Sequence, residues 1–164
     1  MNEKMRVLVV SDTHRRNENL LKILEKPARI DMIIHAGDGE EEIEFLRRTQ
    51  AFAVAGVKGN CDWGRSDIPA EMTFELYGRK IFVTHGHRYA VKDGTDLILF
   101  KAKKENADIA IFGHTHRPLL EERDGVTILN PGSLSEPRQE DRVPTYAVLE
   151  IERTGAFRIK IERV

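Results

Sequence analysis

Ile111-Phe112-Gly113-His114-Thr115-His116 ends an apolar run in a glycine and two imidazoles one residue apart. Three other strand-like runs stop in the same kind of residue. Residues 7–10 lead to Asp12 and His14, residues 32–34 to Gly37-Asp38, and residues 81–84 to His85. A fifth, less regular run, residues 51–57, leads to Gly59-Asn60. Oxygen and nitrogen ligands therefore collect at the tips of successive strands. In an open α/β sheet those tips share one edge, where ligands bind. The pattern predicts an α/β fold with a polynuclear metal site on that edge.

The first half alternates strand and helix. Residues 6–11 read as a strand. Asn17 can cap a helix whose inner face is Leu20, Leu21, Ile23 and Leu24, and Pro27 stops it. Residues 31–35 are a second strand. Glu40-Glu41-Glu42 suits the first turn of a helix ending near Arg47-Arg48. Residues 51–57 are a third strand, and this order implies parallel strands with helices packed on them. The second half is more antiparallel. Hairpins are predicted around Tyr77-Gly78-Arg79, Asp124-Gly125 and Thr154-Gly155, with a helix over 95–106 and a strand over 108–112. A mixed set of this size predicts two packed sheets with helices outside. With no internal repeat or linker, residues 1–164 read as one domain. The polar loop 133–143 is expected to border the site.

Composition bounds the function. The chain has 164 residues, 40% hydrophobic and 32% charged, which suits a water-soluble globular domain with a sizeable core. A formal net charge of −1 supplies no global field for long nucleic acid or an anionic membrane. Cys61 is the only cysteine, so no intrachain disulfide can form. No run is long enough for a signal segment or a membrane span, and the expected location is the cytoplasm.

The donor set is chemically coherent. Two divalent ions a few ångströms apart need a bridging anion, which Asp38 can supply. Asp12, His14 and His116 could hold one ion; Asn60, His85 and His114 could hold the other. Few anionic ligands leave the pair cationic towards phosphate. Two metals can lower the pKa of a bridging water and clamp phosphoryl oxygens in an in-line displacement. Mixed N and O ligands suit manganese, iron, cobalt, nickel or zinc.

The order Asp-x-His, Gly-Asp, Gly-Asn-x-Asp, His-Gly, Gly-His-x-His resembles the calcineurin-like metallophosphoesterase superfamily, and within it the small single-domain bacterial and archaeal phosphodiesterases. The residues that carry the likeness are Ser11-Asp12-Thr13-His14, His35-Ala36-Gly37-Asp38, Gly59-Asn60-Cys61-Asp62, Thr84-His85-Gly86-His87, Gly113-His114-Thr115-His116 and Asn130-Pro131-Gly132-Ser133. The resemblance implies a four-layer α/β/β/α sandwich of two mixed sheets. It also implies a di-metal site often supplied with manganese, and hydrolysis of small phosphodiesters by a metal-bound hydroxide. Catalytic roles then fall on Asp12, His14, Asp38, Asn60, Cys61, His85, His114 and His116.

Departures from the family pattern concern the proton donor. Larger members carry a histidine after the Asn, where this chain has Cys61, which reads as a small buried filler beside the site. Glu41 holds the place where many relatives put another acid, and it and Glu42 read as helix-start carboxylates. Asp62 is expected to orient Asn60 or nearby backbone. His35 is expected to be structural, His87 to point near the site, and Asn130-Pro131-Gly132-Ser133 to shape a loop. Arg138 is a candidate phosphate contact, while Trp63 and Tyr89 are expected to pack in the core or at the rim. The rival reading is a protein-binding scaffold of the same fold, similar to a eukaryotic retromer subunit; retention of Asp12 and His14 favours the enzyme. The partner expected is a small phosphodiester, and self-association is left open.

Overall fold

The central strands are apolar at consecutive positions because both of their faces are covered. In the computed structural model, which describes residues 3–64 and 67–164, strand β1 (Lys4–Val10) buries Val7 and Val9 against one layer and Leu8 and Val10 against another. It continues into α1 (Glu18–Leu24), β2 (Met32–His35), α2 (Glu40–Thr49) and β3 (Ala53–Gly56). Two antiparallel pairs follow around a third helix: β4 (Glu71–Leu76) with β5 (Arg79–Thr84), then α3 (Asp96–Lys104) and β6 (Ile109–Ile111), then β7 (Pro118–Arg123) with β8 (Val126–Pro131). The chain closes with β9 (Thr145–Glu152) and β10 (Phe157–Arg163).

These strands make two mixed five-stranded sheets, ordered β10-β9-β1-β2-β3 and β4-β5-β6-β8-β7. In the first, β1, β2 and β3 run parallel, and the C-terminal hairpin returns to pair antiparallel with β1. In the second, β5, β6 and β8 run parallel, and antiparallel pairing is confined to the flanking β4 and β7. The second half is therefore more parallel than its turn signals suggest.

Alternation along each strand sorts side chains between layers. Val7, Val9, Ile34, Ile81, Val83, Ile109, Ile111 and Leu149 pack between the sheets. Leu8, Val10, Ile33 and Val148 face α1 and α2, whereas Phe82, Ala110, Phe112 and Ile128 face α3. The order of layers is thus helix, sheet, sheet, helix. Leu20 and Ile23 anchor α1, but Leu21 turns outward, because a seven-residue helix on a sheet has room for only one narrow buried stripe. No helix among the described residues is long and apolar enough to cross a membrane.

Candidate metal centre

Parallel strands within each sheet end on the same side, and their backbone pairing runs on into the loops. Beyond β1 and β2, Asp12 N–H donates to Gly37 O and His14 N–H to Asp38 O, each at 3.0 Å. Beyond β5 and β6, Gly113 N–H donates to His85 O at 2.9 Å. The loops are therefore held in register by extensions of the ladders. Bonds also cross between sheets: His114 N–H donates to Asp12 Oδ2 at 3.1 Å, and Ser133 Oγ to Asp12 O at 2.8 Å.

Close approach excludes side chains at Gly113 and Gly37, among other glycines. A Cβ on Gly113 would collide with Ser11 Oγ and Asp12 Oδ2. A Cβ on Gly37, whose φ is +102°, would sit 2.6 Å from His85 Nδ1. Five of the candidate ligand positions are themselves strained. Asp12, His14, Asp38, His114 and His116 have φ of 54°, 47°, 55°, 69° and 59°. The left-handed region costs a non-glycine residue about 1–2 kcal/mol, and such strain collects at functional sites.

At the centre lies Asp12, fully buried. Its Oδ2 accepts from Ser11 Oγ at 2.6 Å, but its Oδ1 is buried without a hydrogen-bond partner. Three imidazole Nε2 atoms surround that oxygen: His116 at 3.2 Å, His14 at 3.7 Å and His85 at 3.8 Å. His85 Nδ1–H donates to Ala36 O, and His116 Nδ1–H to Glu136 O, both at 2.7 Å. Those bonds commit Nδ1 as the donor and turn the Nε2 lone pair inward, the arrangement that metal-binding histidines need. His14 Nε2 and His116 Nε2 are 3.1 Å apart, so a proton or a cation must stand between them.

Three donor groups emerge among the described residues with ligand atoms within 4.8 Å of one another: Asp12, His14 and His116; Asp12, Asp38 and His85; and His14, Asp38 and Cys61. The first two share Asp12. Asp38 Oδ2 lies 3.2 Å from His85 Nε2 and 3.8 Å from His14 Nε2, so one carboxylate oxygen faces both groups. Asn60 Oδ1 joins the second at 3.1 Å from His85 Nε2. His114 stands at its margin, with ring centroids 5.1 Å from those of His85. An orphaned buried carboxylate oxygen among inward lone pairs fits divalent cations of intermediate softness.

The protonation pattern follows from these contacts. Burial would raise the Asp12 carboxyl, but hydrogen bonds from His116 and His14, with the charge of His85, hold it far below the usual carboxylate range. Burial opposes ionisation of Asp38 as well, and His85 outweighs it. The bond to Asp12 raises His14, and His85 rises because Asp38 and Asp12 outweigh its burial. Burial, His85 and Lys92 push His114 down to about 4, so it stays neutral.

A hydrogen-bonded frame sets the second and third loops. Asp62 accepts four backbone N–H groups: Gly59 at 2.7 Å, Asp38 at 2.8 Å, Glu40 at 3.1 Å and Gly39 at 3.4 Å. Gly39 occupies the N-cap position of α2 and has no side chain, so Asp62 caps that helix from the next loop. In return Asp38 Oδ1 accepts the Cys61 N–H at 2.8 Å.

Behind the candidate ligands, Gly37 N–H donates to His35 Nδ1 at 3.2 Å. His35 Nε2–H donates to Thr13 Oγ1 at 3.0 Å, and Thr13 Oγ1–H to Glu42 Oε2 at 2.8 Å. His35 is thus a buried structural group. Glu42 stands in the first turn of α2, as the sequence reading has it, but it is only 4% exposed and closes this chain.

Cys61 also differs from expectation. It is exposed, not buried, and lines a cleft of about 270 Å³ with His14, Asp38 and Trp63. Its Sγ groups with His14 and Asp38, and partial desolvation with the Asp38 charge pushes the thiol up. Trp63 stands 86% exposed on the same rim. Tyr89 does pack, edge-on to Phe82, with its hydroxyl donating to Glu71 at 2.6 Å. Asn130 shapes the histidine loop by donating to Gly113 O at 3.0 Å and Thr115 Oγ1 at 2.9 Å. His87 lies near the site, its ring 5.5 Å from that of His85. Loop 133–143 borders the centre through Ser133, Ser135 and Glu136; the Ser135 hydroxyl donates to Asp12 O at 3.0 Å.

Residues 5–154 match the family model for the calcineurin-like phosphoesterase superfamily domain. The chain belongs to that superfamily. It is similar to a probable metallophosphoesterase of Bacillus subtilis, 37% identical over 93% of this chain and 88% of the relative. A phosphodiesterase of Methanocaldococcus jannaschii is 28% identical over 96% of this chain and all of its own length. Among solved structures, the zinc complex of Vps29 from Entamoeba histolytica superposes with a TM-score of 0.77 at 25% identity, covering 97% of this chain and 99% of that one.

Proposed function

We propose that this metallophosphoesterase is a phosphodiesterase acting on small phosphodiesters at a centre of two divalent cations. The observation that carries the reading is the pair of donor groups sharing Asp12, with Asp38 Oδ2 facing both. We assign Asp12, His14 and His116 to one ion, and Asp38, Asn60 and His85 with the neighbouring His114 to the other. Asp38 belongs to both as the bridge. Manganese is the ion we expect first, with nickel, iron, cobalt and zinc as alternatives. Bound there, such ions supply water activation and charge neutralisation of a phosphoryl group.

The chain's own residues do the rest. Carbonyls of Ala36 and Glu136 aim His85 and His116, so no reorganisation is needed when substrate arrives. Asn60, exposed beside His85, can donate an amide N–H to a phosphoryl oxygen. The cleft beside Cys61 leaves room for one ester arm, and the thiol, protonated at neutral pH, lines that cleft beside Asp38. The complete donor set is what favours this reading over a protein-binding scaffold.

The test is a panel of aryl phosphodiesters and phosphomonoesters on metal-stripped protein, with each divalent ion restored in turn. Diester turnover should need an added ion and exceed monoester turnover. Asp38→Ala should lose at least about a thousandfold, some 4 kcal/mol of barrier, with an unchanged circular-dichroism spectrum. Wild-type turnover in Asp38→Ala, free of contaminating phosphatase, contradicts the assignment.

A further inference from the structure

Thr115, between the imidazoles of His114 and His116, also lines a second and larger cleft of about 790 Å³. Its floor is apolar, with Val91 and Phe112 buried and Leu119 half-buried. Three cations rim it: Lys92, Arg117 and Arg138. None of their side chains has a hydrogen-bond or ion-pair partner among the described residues. Nearby cations behave otherwise: Arg123 pairs with Asp96 at 2.7 Å, Lys101 with Glu105 at 2.6 Å and Lys103 with Asp124 at 3.1 Å. Two carboxylates share the walls, Asp93 and Glu121, and Glu121 already accepts the Thr95 hydroxyl at 2.6 Å. The rim therefore keeps a modest positive excess.

Position ties this cleft to the metal centre. Arg117 follows the ligand His116, and Arg138 N–H donates to His116 O at 2.9 Å, so both guanidinium stems grow from backbone fixed at the site. Lys92 is near enough to His114 to act on its charge. Guanidinium groups match phosphate oxygens in a planar fork, and unpartnered ones beside an apolar floor suit an anion carried on a partly apolar body.

We propose that this cleft binds a second phosphoryl group, so that the preferred substrate is a phosphodiester carrying an additional phosphate on one arm. The inference rests on the phosphodiesterase reading only for where the scissile group lies.

The test compares thymidine 5′-phosphate with thymidine 3′,5′-bisphosphate by calorimetry, with and without manganese. The bisphosphate should bind at least about tenfold more tightly in both states, and added salt should narrow the gap. Arg117→Ala/Arg138→Ala should cut the preference below about twofold, whereas Lys160→Ala, which removes a cation remote from the cleft on β10, should keep it. Turnover of the 5′-(p-nitrophenyl) esters of the two nucleotides should show the same ordering in kcat/KM. Equal binding of both nucleotides by the wild type overturns the proposal, as does a preference that survives the double variant or disappears equally in Lys160→Ala. Bisphosphate binding through the two arginines without hydrolysis of either ester would sink the phosphodiesterase reading alone. Equal binding with hydrolysis of both esters would sink the cleft assignment alone.

Discussion

At the scale of single residues, Asp62 and Cys61 divide the work of support and chemistry. Asp62 touches none of the donor atoms, yet four N–H groups of the Asp38 and Asn60 loops end on it. Removing it strands those donors and uncaps α2. Asp62→Ala should cost about 3 kcal/mol of stability, since each bond to a charged acceptor is worth about 1.5–3 kcal/mol and water recovers part of the loss. Metal affinity should fall about 10–100-fold, and Asp62→Asn should restore part of both. Calorimetric melts and metal titrations of the two variants check this; an unchanged metal affinity in Asp62→Ala would remove the residue from the account. Cys61 poses the question of the leaving-group proton. Its thiol lies open in the cleft, so the burial habit of lone cysteines misled the sequence reading. Cys61→Ser should stay within about tenfold, or 1.4 kcal/mol of barrier, on activated aryl diesters, whose leaving groups need no acid. Alkyl diesters run alongside show the role of the proton. A loss of several orders of magnitude on alkyl esters alone, without metal loss, makes the thiol the acid; equal small losses on both leave it a wall of the cleft.

At the scale of elements, the site is a set of strand tips, and that much was legible from where apolar runs stop. Asp12, Asp38, Asn60, His85, His114 and His116 could be placed at one edge because parallel strands end together. What could not be read was how the loops are fixed. Ala36 O and Glu136 O aim the imidazoles, and a backbone carbonyl carries no sequence signal. Glu42 looked like its neighbours, half-buried Glu40 and exposed Glu41, and only the rotation of α2 shows that it points inward. The Gly37–His35–Thr13–Glu42 chain predicts a pH effect. Burial holds His35 near 4, against 6.5 for a free imidazole. Between those values the unfolded chain takes up a proton that the folded imidazole refuses, so its contribution to stability is present above pH 6.5 and is lost as pH falls towards 4. A shift of that size is worth up to about 3 kcal/mol. Melts of metal-free wild type and His35→Gln across this window should show a steeper fall for the wild type. Parallel curves would mean that His35 titrates as freely folded as unfolded.

At the scale of the whole molecule, two sheets face each other so that one edge collects candidate ligands from both. Asp12, His14, Asp38 and Asn60 come from loops of the first sheet, His85, His114 and His116 from loops of the second. The two-sheet architecture was legible from strand count and hairpin signals. The division of strands between sheets was not, because the C-terminal hairpin leaves its sequence neighbours to pair with β1. Local signals such as Thr154-Gly155 mark a turn but carry no record of which distant strand the hairpin joins. Placing donors on both sheets also links metal binding to their packing. Anomalous diffraction from crystals of the manganese-loaded protein, with elemental analysis of the same sample, tests the two-ion centre. Two ions about 3.5 Å apart, with Asp38 between them and Asp12 on the ion held by His14 and His116, is the predicted result. A single ion with a closed ligand shell in metal-saturated protein would contradict it.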